Sequence, residues 1–228
     1  MAQALWHEIG KQFRHPTGTN GRLMGHVMKF VNARPYQLAV TALAPISTDR
    51  VLELGCGPGA GIKLLSHLAD RGQVHGLDQS DTMLDQAKIL NHREIRTGRV
   101  HLHLGSFDKI PLANCSVDKI LAVNVAYFWK APESVMQESR RVLRPGGRMA
   151  IYVTDEKAMK SWKFAGTDTH RHFNFHSLEQ MLRSGPFADS DIAITPVLAG
   201  FGVPGLIAVI RDLKALGQHS TNTHQDPA

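Results

Sequence analysis

A glycine-rich turn between a short apolar stretch and a helical stretch constrains this chain more than any other feature. Residues 51–54 read Val-Leu-Glu-Leu and lead directly into Gly-Cys-Gly-Pro-Gly-Ala-Gly over residues 55–61. Glycine is needed where a backbone turns sharply or lies against a ligand with no Cβ in the way. A helix that begins after such a turn directs its unpaired N–H groups at whatever occupies the turn. The segment therefore predicts a strand, a ligand-binding turn and a helix.

Short apolar runs alternate with amphipathic stretches through the middle of the chain. The predicted strands are Val51–Leu54, Val74–Leu77, Val100–Leu104, Lys119–Val123 and Arg148–Val153. The predicted helices between them are Gly61–Ala69, Asp81–His92 and Glu133–Leu143. Such alternation indicates βαβ units and a parallel sheet with helices on both faces. The carboxyl ends of the strands then meet at one edge, where ligands bind.

The pattern is weaker in the last third of the chain. Ser177–Arg183 is predicted as a helix with Ser177 as its N-cap. Asp191–Leu198 and Val203–Ile210 are predicted as strands joined around Gly200–Gly202, which gives an antiparallel edge hairpin. The expected fold class is α/β: a doubly wound, mostly parallel seven-stranded sheet with an antiparallel edge hairpin and a helical N-terminal extension.

Asp78 ends the second predicted strand, about 20 residues beyond the turn, where a carboxylate can accept hydrogen bonds from both hydroxyls of a ribose. The alternative is that Asp78 only caps the helix that follows, but Ser80 is already placed for that role. Dinucleotide-binding enzymes share this layout, and their turn reads G-x-G-x-x-G. The glycines in this turn are instead Gly55, Gly57 and Gly59.

Glu53 and these three glycines resemble the E-x-G-x-G-x-G signature of class I, Rossmann-like methyltransferases, which bind S-adenosylmethionine. That cofactor has no pyrophosphate, so the turn in this family wraps its amino-acid and sulfonium part. Further motifs between Arg50 and Thr154 follow in the family's order, including Arg144–Gly147, where Pro-Gly-Gly is expected to stop a helix before strand five. The resemblance implies S-adenosylmethionine as cofactor and S-adenosylhomocysteine as product.

The resemblance also implies cofactor contacts at several strand ends. Asp78 would hold the ribose, with Gln79 and Met83 beside the adenosine. Ser106 and Phe107 would read the adenine edge; many relatives have Asp in place of Ser106, and a hydroxyl can still form that hydrogen bond. The cofactor-binding residues expected on this basis are Glu53, Gly55, Cys56, Gly57, Gly59, Asp78, Gln79, Met83, Ser106, Phe107 and Asn124.

The segment Asn124–Tyr127 follows the fourth predicted strand and would place Asn124 near the transferable methyl group. It differs from the Asn/Asp-Pro-Pro-Tyr/Phe of amino-methyltransferases that act on DNA bases or glutamine, which counts against a flipped-base pocket. The chain looks more like the small-molecule methyltransferases, a group that includes ubiquinone- and menaquinone-pathway enzymes. The expected acceptor is therefore a small molecule, methylated on oxygen, nitrogen or carbon.

Three helical stretches precede the first strand: Ala2–Phe13, Gly21–Asn32 and Pro35–Ala44. Pro35 suits a first helical position because its missing N–H would be unpaired there anyway. Helices in this position commonly cover the active site in the resembled group, so we expect residues 1–45 to form a lid or cap; the alternative is that they only pack on the sheet. Residues 46–216 would form the cofactor-binding domain, and residues 217–228 a polar, disordered tail.

Methyl transfer from an activated cofactor mainly requires alignment and desolvation. A general base is needed only when the acceptor must lose a proton. Tyr127 and His170 are the candidates carried forward for this role, and the other candidates are the histidines His7, His15, His26, His172 and His176. The aromatic run Tyr127-Phe128-Trp129 either lines a pocket for a planar or apolar acceptor or is buried beneath the next helix.

Three histidines between residues 170 and 176 raise the question of a metal site. No cysteine or carboxylate is interleaved with them, so we expect no metal. The only cysteines, Cys56 and Cys115, are too few for a disulfide framework, which favours a reducing cytoplasm. We expect the Cys56 side chain to pack and not to act as a nucleophile.

A formal net charge of +6 raises the possibility of a nucleic-acid partner. The basic residues are scattered among acidic and apolar ones, however, so we expect a small-molecule substrate, no nucleic-acid partner, and a monomer or homodimer. No apolar run approaches the roughly 18 residues needed to span a bilayer. Two alternatives stay open: an RNA methyltransferase, and a catalytically silent S-adenosylmethionine-binding protein that keeps the fold.

Overall fold

The computed structural model describes Trp6, Gly10, residues 32–166 and residues 169–211. The strands are β1 Arg50–Leu54, β2 Gln73–Asp78, β3 Val100–Leu104, β4 Val117–Val123, β5 Leu143–Thr154, β6 Ile192–Leu198 and β7 Pro204–Arg211. They form one sheet in the order β3-β2-β1-β4-β5-β7-β6. Neighbours from β3 to β5 are parallel, whereas β7 is antiparallel to both β5 and β6. The predicted sheet and its edge hairpin are confirmed.

Helices cover both faces of this sheet. In the described residues they are α1 Ala33–Leu43, α2 Ala60–Leu68, α3 Asp81–Leu90, α4 His92–Arg96, α5 Pro132–Val142, α6 Glu156–Met159 and α7 Phe175–Arg183. Helices α1, α2 and α3 contribute to the apolar core on one face, and α5 and α7 contribute to the core on the other. None of the helices in this part of the chain combines the length and apolarity needed to cross a bilayer.

The order of the strands reverses at β1, which pairs with β2 on one side and with β4 on the other. The connections that leave β1 and β4 therefore diverge, and a crevice opens beyond their carboxyl ends. The glycine turn follows β1, and Asn124 follows β4. The topology thus places both at the same edge of the sheet.

The predicted helix Asp81–His92 is divided in two at Asn91. The backbone of Asn91 leaves the helical region, with φ −111° and ψ 20°. Its side chain is completely buried, and its Nδ2 donates to the carbonyl oxygens of Gly59 and Ala87, at 3.1 and 3.0 Å. A contact with the glycine turn, distant in sequence, therefore ends α3 where the local pattern predicted a continuous helix.

The prediction that Ser177 is the N-cap of its helix is wrong. Helix α7 begins at Phe175, and Asn174 is the N-cap. The Asn174 side chain accepts the Ser177 N–H, and the Ser177 hydroxyl accepts the Asn174 N–H, both at 2.9 Å. This is a capping box, in which Ser177 is the third helical residue and reaches back to the cap.

Two further boundaries differ from the prediction. Pro35 is the third residue of α1 and not the first, a position where its missing N–H is still outside the helical hydrogen-bond pattern. Pro-Gly-Gly does not stop a helix: α5 already ends at Val142, and Pro145–Gly147 lies inside β5. Gly146 has φ +76°, and the register between β4 and β5 shifts before Lys119, so the motif forms a bulge.

Predictions for both ends of the chain fall largely outside the described residues. This applies to the helices Ala2–Phe13 and Gly21–Asn32, apart from Trp6, Gly10 and Asn32, and to the tail at 217–228. The third predicted N-terminal helix is α1, which buries Ala39, Val40 and Leu43 against the sheet. A lid formed by residues 1–45 remains a prediction.

Three histidines lie side by side on β2 and β3, near the edge of the sheet. The ring of His75 stacks on that of His101, with centroids 5.0 Å apart, and its Nδ1 lies 3.2 Å from Nε2 of His103. Burial, with the neighbouring charges of His103 and His101, lowers the pKa of His75 to about 4. Burial and His101 also lower the pKa of His103. His75 and His103 are therefore neutral at physiological pH.

This arrangement predicts an acid-sensitive edge. The unfolded chain binds protons at His75 near pH 6.5 and the folded chain only near pH 4, so the stabilisation present above pH 6.5 is lost as the pH falls. We expect His75→Leu to lose less unfolding free energy than the wild type between pH 7.5 and 5, by on the order of 1 kcal/mol given partial solvent screening. Urea denaturation of both proteins at pH 7.5 and pH 5 measures the two losses. His92→Gln, at an exposed histidine, is the control; an equal loss in His75→Leu and the wild type would contradict the prediction.

Candidate active site

The three glycines of the turn all adopt a left-handed backbone, with φ of +70° at Gly55, +50° at Gly57 and +84° at Gly59. A Cβ on Gly55 would lie 2.4 Å from Cγ2 of Val125, and one on Gly59 would lie 2.8 Å from Cβ of Ala87. A Cβ on Gly57 would meet no atom of the described residues within 4 Å. Two glycines thus allow close packing, while Gly57 leaves backbone open to a ligand.

The carboxylate of Asp78 fixes this turn. Its Oδ2 accepts the Gly57 N–H at 2.8 Å, and its Oδ1 accepts the Ser80 N–H at 2.9 Å. The Ser80 hydroxyl in turn accepts the Met83 N–H at 3.3 Å, so Ser80 is the N-cap of α3 as predicted. Asp78 is therefore not the helix cap, and it lies half-buried beside the open backbone of Gly57. Its contact with a ribose remains a prediction that this position favours.

Glu53 is completely buried beneath the turn. The Tyr36 hydroxyl donates to its Oε1 at 2.6 Å, and a Cβ on Gly61 would lie 2.3 Å from the same oxygen. Burial raises the pKa of Glu53 to about 8, with a smaller increase from Asp78, although the Tyr36 hydrogen bond lowers it. The other carboxyl oxygen is buried and has no hydrogen-bond partner among the described residues. Glu53 is thus protonated at neutral pH and joins α1 to β1.

The other residues assigned to the adenosine side differ in exposure. Met83 and Phe107 are buried, whereas Gln79 and Ser106 are exposed, and the Ser106 hydroxyl hydrogen-bonds to Asp108. Buried apolar side chains together with exposed polar ones suit an adenine ring, and these contacts stay predictions. Cys56, also expected at the cofactor site, has a completely buried side chain. Its sulfur packs near Gly76, as expected for a packing residue.

Asn124 is the centre of a hydrogen-bond network beyond β4. Its Nδ2 donates to Oδ1 of Asn32 at 2.8 Å, and its Oδ1 accepts the Tyr127 hydroxyl at 2.6 Å and the Thr154 hydroxyl at 3.3 Å. Asn124 has φ +52°, a conformation that asparagine tolerates better than most side chains. The network therefore fixes the ends of β4 and β5 and the residue before α1 relative to one another.

Tyr127 takes a positioning role in this network. Its hydroxyl donates to Asn124 and accepts the Thr154 N–H. Burial raises the pKa of Tyr127 far above its ordinary value. A hydroxyl that is engaged on both sides and hard to ionise is poorly suited to accept a proton, so the geometry favours His170 over Tyr127 as a base.

A cavity of about 630 Å³ opens beside Asn124, at the carboxyl ends of β4 and β5. Its walls are mainly aromatic and apolar, from Tyr127, Phe128, Tyr152, Met159, Trp162, Phe164 and Phe201. The predicted aromatic run is thus divided: Tyr127 and Phe128 line the cavity, whereas Trp129 is buried and does not line it. Among the lining residues that the structure describes, Arg34 is the only one with a permanently charged side chain.

His170 also lines the cavity and is buried, with its ring 4.9 Å from that of Phe128 in an edge-on arrangement. Its Nδ1 lies 2.8 Å from the Thr169 hydroxyl, which donates to the Gly166 carbonyl at 3.1 Å. Because that hydroxyl has a single proton, it accepts from Nδ1–H of His170. In this tautomer Nε2 is the nitrogen that can carry the lone pair.

The other candidate bases in the described residues, His172 and His176, do not line the cavity. His172 Nε2 lies 2.7 Å from the Ala165 carbonyl, and His176 is exposed. His7, His15 and His26 lie outside the described residues. Within the described ranges, no group of three or more histidine, cysteine or carboxylate side chains is arranged to hold a metal ion.

Sequence reasoning missed four residues that hold the site together: Asn32, Tyr36, Asn91 and Thr154. Asn32 and Asn124 are 92 positions apart, and Asn91 and Gly59 are 32 apart. No local pattern marks such partners. The one available signal was that a buried carboxyl at Glu53 needs a hydrogen-bond donor, which does not say where the donor lies.

Comparison with known proteins shows similarity to methyltransferases. Residues 52–151 match the family described as methyltransferase domain. An uncharacterized 37.1 kDa protein in transposon TN4556 of Streptomyces fradiae is 30% identical over 191 residues, which cover 82% of this chain and 54% of that protein. The malonyl-[acyl-carrier protein] O-methyltransferase of Methylococcus capsulatus is 32% identical over 175 residues, 74% of this chain and 62% of that enzyme.

A solved S-adenosylmethionine-dependent methyltransferase from Aquifex aeolicus superposes with a TM-score of 0.62. The two are 20% identical, and the match covers 80% of this chain and 92% of that one. At this identity the likeness shows the fold. The chain spans about 54 to 62% of the length of the two curated relatives described above.

The buried Glu53 predicts a characteristic pH dependence. The folded chain holds a proton that the unfolded chain releases near pH 4.5, so unfolding free energy is highest below that pH and falls as the pH rises towards about 8. One such proton gives a slope of at most about 1.4 kcal/mol per pH unit. We expect Glu53→Gln to remove this fall, measured by urea denaturation at pH 5.5 and 8.

Glu133→Gln, at an exposed carboxyl in the first turn of α5, is the matched control and should retain the wild-type pH dependence. If Glu53→Gln loses stability with pH as steeply as the wild type, Glu53 is ionised in the folded protein and the interpretation fails.

Proposed function

We propose that the chain, whose residues 52–151 match a methyltransferase domain, is a class I methyltransferase that transfers the methyl group of S-adenosylmethionine to a small, largely apolar acceptor bound in the cavity beside Asn124. One observation carries this proposal: the glycine turn and the apolar cavity lie at the same edge of the sheet, at the ends of the neighbouring strands β1 and β4. A cofactor on the turn and an acceptor in the cavity would meet near Asn124.

The turn suits a cofactor without a pyrophosphate. Gly57 leaves space where a Cβ would stand, and Asp78 lies against its N–H with two carboxylate oxygens that can each accept a second hydrogen bond. We assign the ribose to Asp78 and the amino-acid part to the backbone of Gly55–Gly59. Glu53, protonated and bonded to Tyr36, supports the turn from below.

When bound, S-adenosylmethionine supplies a methyl group already activated on a sulfonium, which an acceptor displaces in line. The aromatic cavity walls exclude water and orient the acceptor. Asn124 and Tyr127 fix the cavity floor through their bonds with Asn32 and Thr154. For an acceptor with a hydroxyl group, His170 Nε2 takes the proton that leaves the oxygen.

Oxygen is the acceptor atom that the relatives favour. The relative from Methylococcus capsulatus is an O-methyltransferase that acts on malonyl-[acyl-carrier protein]. Arg34 gives the cavity one cation, and the described lining residues include no carboxylate. An acceptor that carries an anionic group next to an apolar body would fit this lining.

The surface charge gives little support to an RNA methyltransferase. Arg141 bonds the Glu138 carboxylate and the Leu112 carbonyl, Arg144 pairs with Asp118, and Arg99 donates to the Ser66 carbonyl. These basic residues thus hold helix ends and loops. This favours a small-molecule acceptor.

The cofactor assignment predicts the effect of Asp78→Asn. An amide keeps the shape but removes the charge and one of the two acceptor atoms, so we expect the Kd of S-adenosylhomocysteine to rise about tenfold or more. Calorimetric titration of wild type, Asp78→Asn and the control Asp81→Asn measures it. Asp81 is exposed in the first turn of α3. Equal affinity in Asp78→Asn and the wild type would remove Asp78 from the cofactor site.

The acceptor assignment is tested by methyl transfer from radiolabelled S-adenosylmethionine to a panel of phenols, fatty acids, acyl thioesters, amines and RNA. We expect transfer to an apolar oxygen acceptor. Transfer to RNA alone would establish the alternative enzyme. Cofactor binding without transfer to any acceptor would contradict the proposal and favour a silent binding protein.

The role of His170 predicts a difference between acceptors. We expect His170→Gln to lower kcat about a hundredfold or more for a hydroxyl acceptor, which must lose a proton, and to change it little for a carboxylate, which need not. Steady-state kinetics at saturating cofactor measure both rates. His176→Gln, at an exposed histidine, is the control; an equal loss for both acceptors would mean that His170 only shapes the cavity.

A further inference from the structure

The turn between β6 and β7 carries a phenylalanine in an unusual conformation. Phe201 has φ +59° and ψ 24°, between Gly200 and Gly202. A side chain with a Cβ rarely adopts this left-handed region, because it raises the free energy of the folded state. Either neighbouring glycine position, by contrast, would take such a conformation without strain. The strain is therefore placed on the residue with the large side chain.

The phenyl ring of Phe201 is also completely exposed, at 108% of its reference area. It contributes no burial to the folded chain, although Phe is among the side chains that gain most from leaving water. The strained backbone at this residue opposes folding, and its exposed ring gives no burial that would offset the strain. Such a combination is typical of a residue kept for a contact outside its own fold.

Phe201 lines the cavity although its ring is completely exposed, so it stands at the rim, where the cavity meets solvent. Arg34, the second residue of α1, also lines the cavity and is exposed. The turn and Arg34 are close, since a Cβ on Gly200 would lie 3.8 Å from Cβ of Arg34. The cavity interior contributes Phe128, Trp162 and Phe164, so a ligand that fills it meets aromatic rings on several sides.

We propose that Phe201 packs on the apolar part of the acceptor and closes the cavity mouth over it, so that Phe201 sets which acceptors bind. This rests on the proposed function, because it takes the cavity as the acceptor site. The exposed ring gains burial only when the acceptor is present, and the nearby Arg34 pairs with an anionic group of the same molecule. Phe201 is therefore a specificity-determining residue for apolar, anionic acceptors.

The test uses a probe that needs no knowledge of the natural acceptor. Anilinonaphthalene sulfonate has an aromatic body and one anionic group, and its fluorescence reports transfer to an apolar site. Phe201→Gly and Phe201→Ala should raise its Kd about tenfold, because the ring that covers the probe is lost. Ile89→Ala, at an exposed apolar residue of α3, is the matched control and should bind like the wild type.

Thermal denaturation separates this role from a structural one. Phe201→Gly removes the left-handed strain and loses no buried contact, so its Tm should equal or exceed that of the wild type. A lower Tm together with weaker binding would assign Phe201 to the fold. Unchanged probe affinity in both variants, or no probe binding by the wild type, would overturn the proposal.

Titration with S-adenosylhomocysteine in the same samples distinguishes the two proposals. We expect the wild-type Kd in both Phe201 variants, because β4 and β5 lie between β7 and β1, the strand that leads into the glycine turn. If the wild type binds no S-adenosylhomocysteine, the proposed function fails whatever the probe shows. If it binds and Phe201→Gly retains full probe affinity, only the role of Phe201 fails.

Discussion

The hydrogen bond from the Gly57 N–H to the Asp78 carboxylate joins the ends of two neighbouring parallel strands at the glycine turn. The turn has a left-handed backbone at three glycines. Because glycine is flexible, the turn would leave this conformation easily if no other residue held it. Asp78 from β2 and Asn91 after α3 hold it from two sides. The open backbone of Gly57 is thus a product of contacts made by residues outside the turn.

A second set of contacts connects the residues around the start of α1 to the same edge. Tyr36 bonds to Glu53 beneath the turn, and Asn32 bonds to Asn124 beside the cavity. One helix therefore touches both halves of the site, the cofactor side through β1 and the acceptor side through β4. A shift of α1 would therefore change the cofactor side and the acceptor side together. This coupling is what the prediction of a lid or cap at residues 1–45 requires.

Most strands and helices of this fold and the class of its sheet were predictable from the sequence, whereas side-chain contacts between distant residues were not. Periodicity located the strands, and Ser80 was correctly assigned as a cap because cap chemistry acts within three residues. Ser177 was assigned wrongly because Asn174 and Ser177 are both good caps, and only the structure shows that the helix begins directly after Asn174. The break at Asn91 depends on Gly59, 32 residues away, and no local pattern contains that contact.

The cofactor half of the site was likewise easier to predict than the acceptor half. Glycines followed by an acid form a motif because a constant ligand needs constant backbone geometry. The cavity instead combines residues from α1, the segment after β4, residues 159–170 and the turn between β6 and β7. All of these segments except α1 contribute aromatic side chains, which in a sequence look the same as ordinary core residues.

The pairing of α1 with β4, β5 and β7 has a consequence for how the protein is made. Helix α1 emerges from the ribosome early, yet the strands that it packs against are completed only when Arg211 has been added. Until β4 and β5 have been made, its apolar face, with Ala39, Val40 and Leu43, has no sheet to cover, and β7 completes that sheet last. Such distant contacts slow folding and expose nascent chains to aggregation. The apolar face of α1 is therefore a surface on which aggregation competes with folding during synthesis.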